Sequence, residues 1–287
     1  MILQQSLEQR LEELVPSLET PYAELTAAVR YSLLNGGGKR LRPQLLFAVT
    51  EMLGGSYEAA LDPACALEMI HTYSLIHDDL PCMDNDDLRR GVPTLHKVHG
   101  EAVALLAGDY LLTRAYETLS QASHLTAEQK VQMIFILANL SGAHGMIGGQ
   151  VIDIKMLAGN SSQELLEQTH LLKTGSLIAA SLILGAIAAG ADLATKENLK
   201  KIGFTLGLAF QVVDDVLDRT CTEKKRGKNE GSDKTRGHST YVDILGIAGA
   251  QNYAEKLLKQ VLEEIASMSG NTKKLETLAS QLVRRNR

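Results

Sequence analysis

Apolar residues recur at helical spacing, at positions i, i+3, i+4 and i+7, through most of this 287-residue chain. Alternating patterns typical of strands are scarce. Breaks rich in glycine or polar residues, near 35–38, 54–55, 85–93, 142–149 and 220–238, divide the pattern into roughly ten or more helices. The pattern therefore predicts an all-α protein, a single large helical bundle over residues 1–287 with its substrate site in a central cavity.

The composition excludes several classes of protein. The net charge of −5, with no basic stripe, gives no reason to expect nucleic acid as a partner. The most apolar stretch, Ser176 to Ala191, is too short to cross a bilayer, so we expect a buried core helix and no membrane span. Three scattered cysteines favour neither a disulfide framework nor a zinc site, and residues 1–19 do not resemble a signal peptide. We therefore expect a cytoplasmic protein.

Two acidic clusters follow apolar segments that favour buried helices. They are DDLPCMD from Asp78 to Asp84 and DDVLD from Asp214 to Asp218. Carboxylates held together without compensation are costly, and a divalent cation removes that cost. Mg²⁺ prefers oxygen ligands and usually combines one or two carboxylates with water and substrate phosphates. The clusters therefore predict a magnesium site for a diphosphate substrate.

Helix geometry predicts how each cluster is arranged. Asp214 and Asp218 are four residues apart, which turns them by only about 40° and places them on one face. Asp78 and Asp84 would lie about 120° apart on an unbroken helix. Pro81 should end that helix near Asp79, because proline removes a backbone donor and clashes with the preceding turn. We therefore expect Asp84 to fold back toward Asp78.

Three basic groups accompany the acidic clusters: Lys39 with Arg40 and Arg42, Arg89 with Arg90, and Lys173 with Thr174 at the predicted head of a helix. The first group follows a glycine run that lets backbone amides approach an anion, although no Walker motif is present. The second offers guanidinium groups that can bind phosphate oxygens in pairs. Together they predict a cradle for phosphates. For His71, the residues alone favour a core histidine over a ligand contact.

Five motifs stand in a fixed order: GGKRLRP (37–43), the run 70–91 around the first acidic cluster, GGQVID (148–153), KTG (173–175) and FQVVDDVLD (210–218). In these motifs the chain resembles the trans-type short-chain polyprenyl diphosphate synthases, most closely the bacterial farnesyl diphosphate synthases, over nearly its whole length. The resemblance implies condensation of isopentenyl diphosphate with dimethylallyl or geranyl diphosphate to give farnesyl diphosphate. It also implies three Mg²⁺ ions and a homodimer.

The resemblance assigns roles to individual residues. Isopentenyl diphosphate would be bound by Lys39, Arg42, His71 and Arg90. The allylic diphosphate would be bound by Arg89, Lys173, Thr174, Gln211 and Lys228. Magnesium would be held by Asp78, Asp84, Asp214 and Asp218, with Asp79 and Asp215 in support. The catalytic set would be Asp78, Asp79, Asp84, Lys173, Asp214 and Lys228, and the segment 220–238 would close as a flap. One departure is His238, where the family usually has lysine, because a neutral imidazole supplies less charge at pH 7.

Product length should depend on what blocks the apolar pocket behind Asp78. The resemblance assigns this block to Tyr73, together with the two-residue spacer Pro81-Cys82, whereas helix geometry places Ser74 more directly beneath Asp78. A C15 product is favoured. The alternatives are a geranylgeranyl diphosphate synthase, which Tyr73 disfavours, and a class I terpene cyclase, which needs no second diphosphate cradle. A catalytically silent partner subunit would normally have lost one acidic cluster, and both are complete here.

Overall fold

The computed structural model describes residues 2–34, 38–156, 163–220 and 240–284. In chain order the helices are α1 (Ile2–Leu14), α2 (Ala23–Leu33), α3 (Leu41–Met52), α4 (Tyr57–Asp78), α5 (Leu95–His99), α6 (Glu101–Gln121), α7 (Ala127–Ser141), α8 (Met146–Met156), α9 (Gln163–His170), a π-helical turn (Leu171–Gly175), α10 (Ser176–Ala188), α11 (Leu193–Thr220), α12 (Tyr241–Ala266) and α13 (Lys273–Val283). Within those ranges the strands are β1 (Leu88–Arg89) and β2 (Val92–Pro93), one short antiparallel hairpin. The prediction of an all-α bundle is confirmed.

Helix α10 lies at the centre of the bundle. All of its residues are buried, and α3, α4, α7 and α11 pack around it. It carries no charged side chain, so every face of the helix can contact another apolar surface. The predicted core helix is thus confirmed, although it ends at Ala188 and not at Ala191.

Among the described residues, two largely helical stretches, Ala127–Lys155 across α7 and α8 and Glu164–Ala188, are long and apolar enough to cross a membrane by length and composition alone. In the second stretch, which contains α10, 78% of the most apolar part is buried inside the protein. Burial of that kind is typical of a core helix in a globular bundle.

The π-helical turn touches α11 backbone to backbone. A Cβ atom added at Gly207 on α11 would lie 2.4 Å from the Cα atom of Gly175, so only glycine permits this approach. The same turn contacts α8, where a Cβ atom at Gly149 would lie 2.3 Å from the backbone nitrogen of Lys173. These contacts fix the turn between α8 and α11, and its side chains form part of the site described next.

Candidate active site

The first acidic cluster forms a turn at the end of α4. The helix ends at Asp78, and the backbone N–H of Asp84 donates to the carbonyl oxygen of Asp78 at 2.8 Å. The predicted fold-back after Pro81 is therefore confirmed. Burial raises the pKa of Asp78 to about 6, and the neighbouring carboxylates of Asp84 and Asp79 add to the rise. The raised pKa means that ionising Asp78 costs free energy in the folded protein, and a bound cation would remove that cost.

The second acidic cluster lies on the C-terminal part of α11. Asp214 is half-buried and Asp218 is exposed, one turn further along the helix. Asp215 points elsewhere: it is buried, and its Oδ2 atom accepts a hydrogen bond from the backbone N–H of Tyr241 at 2.9 Å. The bond joins α11 to the first residue of α12. The structure therefore gives Asp215 a backbone partner, and Nε2 of His170 lies 3.7 Å from the same oxygen.

Lys173 and Thr174 lie between the two clusters. The Nζ atom of Lys173 donates to Oδ2 of Asp153 at 2.7 Å, and the hydroxyl of Thr174 donates to Oε1 of Gln211 at 3.1 Å. Burial lowers the pKa of Lys173, but Asp153, Asp78 and Asp84 outweigh it and raise the pKa overall. Lys173 therefore stays charged within electrostatic range of the first cluster. Thr174 contacts α11 at Gln211, about one turn before the second acidic cluster.

The prediction that Lys173 heads a helix is wrong. Helix α9 runs into the π-helical turn, and the turn runs directly into α10. A π-turn inserts an extra residue into a continuous helix and is frequent at functional sites. Periodicity alone could not reveal it, because the flanking residues keep a helical pattern. Asp153, the partner of Lys173, was also missed, although the motif GGQVID that contains it was recognised.

The hairpin β1–β2 carries the two arginines that follow the first cluster. Arg90 and Gly91 form its turn with φ angles of 55° and 82°. Such a turn matches the twist of the flanking strands. Arg89 pairs with both carboxylate oxygens of Asp79, at 2.8 and 2.9 Å from Nε and 2.6 Å from Nη2. The structure thus gives Asp79 a guanidinium partner and orients Arg89 beside Asp78.

A single cavity collects the residues predicted to bind isopentenyl diphosphate. Its lining includes Lys39, Arg42, His71 and Arg90, together with Phe210 of α11 and Leu278, Gln281 and Leu282 of α13. The Nη1 atom of Arg42 lies 3.2 Å from Nε2 of His71. Burial lowers the pKa of Arg42 to about 10. Several cations in one cavity favour an anionic ligand.

His71 is neutral in this arrangement. Burial lowers the pKa of His71 well below its usual value, and the nearby guanidinium groups, first that of Arg42, lower it further. A neutral imidazole can accept the N–H of Arg42 and hold that guanidinium in place. The structure therefore places His71 at the predicted cradle, where it contacts Arg42 directly.

The residues predicted to set product length lie on the last two turns of α4. Tyr73 is 4% exposed, and its ring packs edge-on against His77 with ring centres 5.7 Å apart. In the part of the chain that the structure describes, its hydroxyl has no hydrogen-bond partner. The Ser74 hydroxyl donates to the carbonyl oxygen of His71 at 2.9 Å. Lys228, His238 and most of the predicted flap lie outside the described residues.

The acidic residues fit magnesium bound together with a substrate. Among the described residues, no group of three or more His, Cys, Asp or Glu side chains could hold a metal ion. Mg²⁺ does not need such a group, because it commonly takes one or two carboxylates and completes its shell with phosphate and water. Burial and the carboxylates of Asp84 and Asp79 raise the pKa of Asp78 although Lys173 and Arg89 oppose the rise, so a bound cation would favour its ionised form.

Two carboxylate clusters at helix ends, a lysine whose pKa is raised by Asp78 and Asp84, and a cavity lined by several cations are features expected of an enzyme that acts on organic diphosphates. A family model described as Polyprenyl synthetase matches residues 23–279. The chain therefore belongs to the polyprenyl synthetase family, and it is a prenyltransferase that elongates prenyl chains. The family depends on Mg²⁺ in general.

Named relatives and solved structures agree with this assignment. The chain is 44% identical over 273 residues to geranylgeranyl pyrophosphate synthase 7, chloroplastic, of Arabidopsis thaliana, covering 94% of this chain and 78% of that protein. A crystal structure of geranyltransferase from Helicobacter pylori, complexed with magnesium and isoprenyl diphosphate, is 37% identical, with a TM-score of 0.87 and coverage of 98% and 94%. An FPP/GFPP synthase from Zymomonas mobilis is 35% identical, with a TM-score of 0.87 and coverage of 98% and 97%.

Proposed function

We propose that this prenyltransferase condenses isopentenyl diphosphate head to tail with dimethylallyl and then geranyl diphosphate, and stops at (E,E)-farnesyl diphosphate. Two groups of cations support the two-diphosphate reaction. One group, with Lys39, Arg42 and Arg90, lines a cavity, and the other is Lys173 with Arg89, which both interact electrostatically with Asp78. A terpene cyclase would have no use for the first.

In the proposed reaction the allylic C–O bond breaks and leaves a delocalised cation and a diphosphate. Lys173 and Arg89 are positioned to stabilise the negative charge that grows on the departing group. When bound, three Mg²⁺ ions on Asp78, Asp84, Asp214 and Asp218 would supply further positive charge there. The double bond of isopentenyl diphosphate then forms the new C–C bond, and the released diphosphate accepts the proton that is lost. No nucleophile from the protein is required.

The buried ring of Tyr73 is the observation that supports a C15 product. It lies five residues before Asp78 on the core side of α4, and its edge-on contact with His77 limits its movement. A large, packed ring at this place would leave no room for a C20 chain. The names of curated relatives, several of them geranylgeranyl pyrophosphate synthases at 44–47% identity, favour C20 as the second candidate.

Product analysis tests both candidates. Purified protein would be incubated with labelled isopentenyl diphosphate, each allylic starter and Mg²⁺, and the prenyl alcohols sized after dephosphorylation. We expect C15 from the natural protein and longer chains from Tyr73→Ala, whereas Ser74→Ala tests the rival position and should still give C15. A C20 product from the natural protein would favour the second candidate. If Tyr73→Ala still makes C15, Tyr73 does not block the pocket.

We also propose a cytoplasmic homodimer. Several large apolar side chains on α6, α7 and α8 are exposed in the single chain, among them Leu106 at 56%, Val131 at 67%, Phe135 at 66% and Val151 at 46%. A second copy of the chain would cover such a surface. Light scattering on purified protein tests the dimer, and a monomeric mass would contradict it.

The proposed cytoplasmic location is tested by imaging a tagged protein in its cell. A signal confined to a membrane or organelle would contradict that location.

A further inference from the structure

Arg40 adopts a backbone conformation that is rare for a side-chain-bearing residue. Its φ and ψ angles are 48° and 40°, in the left-handed region, and it immediately precedes α3. Such a conformation is unfavourable for an L-residue with a side chain and persists only where other contacts enforce it. The contacts that enforce it here come from the guanidinium group.

The guanidinium of Arg40 is bound on every side. Its Nε and Nη2 atoms donate to the two carboxylate oxygens of Glu8 at 2.7 and 2.9 Å. Its Nη1 atom donates to Glu68 at 2.8 Å, and Nη2 also donates to the carbonyl oxygen of Leu33 at 2.6 Å. Arg40 is 5% exposed and Glu68 is 3% exposed. The three side chains therefore form one network that joins α1, α4 and the start of α3, buried at Arg40 and Glu68 and 37% exposed at the side chain of Glu8.

This network borders the cationic cavity described above, which is the cradle proposed for isopentenyl diphosphate, without supplying a free charge to it. Arg40 and Glu68 line the same cavity as Lys39 and Arg42, but the charge of Arg40 is balanced by two carboxylates. Arg40 lies between Lys39 and Arg42 in sequence, so its left-handed turn sets the directions of both. Glu68 precedes His71 by one turn of α4, and its charge raises the pKa of Arg42 against the effect of burial.

We propose that the network Glu8–Arg40–Glu68 positions the cradle and so determines the affinity for isopentenyl diphosphate. The inference rests on the proposed function, in which this cavity binds that substrate. Glu8, on the first helix, and Arg40 are positioning residues that act through Lys39 and Arg42. Neither is expected to contact the substrate.

A matched control exists on the same helix. Helix α1 is tied to the rest of the bundle by a second ion pair, in which Nε of Arg10 donates to Asp62 on α4 at 2.8 Å. This pair is absent from the cavity lining. Comparing Glu8→Gln with Arg10→Gln therefore separates loss of cradle geometry from simple loosening of α1. Arg40→Lys is a second test, because it keeps a positive charge but cannot bind both carboxylates with a planar fork.

We expect Glu8→Gln and Arg40→Lys to raise both the KM and the calorimetric Kd for isopentenyl diphosphate on the order of tenfold, as expected for a lost charged hydrogen bond. The KM for the allylic substrate should change by less than about twofold, and Arg10→Gln should leave both unchanged within that limit. Thermal unfolding of all variants shows whether the two α1 variants lose similar stability.

The outcomes separate the inference from the function on which it rests. If the natural protein does not bind isopentenyl diphosphate, the proposed function fails. If it binds, but Glu8→Gln and Arg40→Lys bind as tightly as Arg10→Gln, the positioning role is wrong. A rise in KM that affects both substrates equally, and Arg10→Gln as strongly, would also overturn it.

Discussion

Replacing Asp78 by asparagine should make the protein inactive and, without magnesium, more stable. Burial and the neighbouring carboxylates raise the pKa of Asp78 from 3.8 to about 6. At about 1.4 kcal/mol per pKa unit, the carboxylate therefore costs ~3 kcal/mol of folding free energy when it is ionised. The side chain is only half-buried, so this value is an upper limit. Asparagine has nearly the same shape and carries no charge.

The stability difference should depend on pH in a defined direction. Because the folded-state pKa of Asp78 lies above its unfolded value, folding favours the protonated form. The cost is fully present above about pH 6 and is lost progressively as the pH falls from 6 toward 4. The advantage of Asp78→Asn over the natural protein should therefore be largest at pH 8, and about half as large at pH 5.

The assay is thermal unfolding in a chelating buffer at pH 8 and pH 5. A stabilisation of 1 kcal/mol raises the melting temperature by about 2–4 °C in chains of roughly this size, so a rise of several degrees is expected at pH 8. Glu263→Gln, whose carboxylate is 68% exposed, is the control and should change little. Added Mg²⁺ with inorganic diphosphate should then stabilise the natural protein but not Asp78→Asn.

Two results would refute this reasoning. One is an Asp78→Asn variant that is no more stable than the natural protein at pH 8 without metal. The other is a stability gap that grows as the pH falls to 5. Either result would mean that ionised Asp78 does not destabilise the folded protein in the absence of metal. The inference that magnesium removes such a cost would then be wrong.

Two further predictions concern turnover. At limiting Mg²⁺, activity should fall as the pH is lowered through about 6, because protonation of Asp78 competes with metal binding. A higher Mg²⁺ concentration should shift this fall to lower pH. A midpoint pH that does not depend on Mg²⁺ would exclude Asp78 as a ligand. Lys173→Gln should lower kcat by roughly 10²–10³-fold, because it removes charge beside the departing diphosphate. Its KM for isopentenyl diphosphate should change little, and an unchanged kcat would contradict the role given to Lys173.

The sequence was sufficient for the helical bundle, the core helix and the turn after Asp78. Each depends on local rules: apolar periodicity, an uncharged segment, and a proline that ends a helix. The cradle residues could also be grouped in advance, because the motif around residues 37–43 and the run 70–91 belong to one recognisable set. Their gathering in a single cavity is confirmed.

Other features of the site depend on tertiary contacts and have no local signal. The π-turn with Lys173 forms where glycines on α8 and α11 let the backbones approach closely. The apolar periodicity of the sequence predicts an ordinary α-helix there. Arg40 looks like one more phosphate ligand in sequence, yet Glu8 and Glu68, distant in the chain, bind its charge completely. Carboxylates that are distant in sequence pair with some cations and not with others. Only the folded structure therefore shows which cations are available to a ligand.

The two acidic clusters share a division of labour that follows from helix geometry. Adjacent residues on a helix point about 100° apart, so two neighbouring aspartates cannot both face the same cavity. In the first cluster the second aspartate, Asp79, binds Arg89; in the second, Asp215 binds the backbone of Tyr241. In the proposed function, the first and last aspartates of each cluster are the magnesium ligands. The middle carboxylates instead fix the neighbouring elements, the arginine hairpin in one case and the start of α12 in the other, so each cluster both presents ligands and anchors the walls around them.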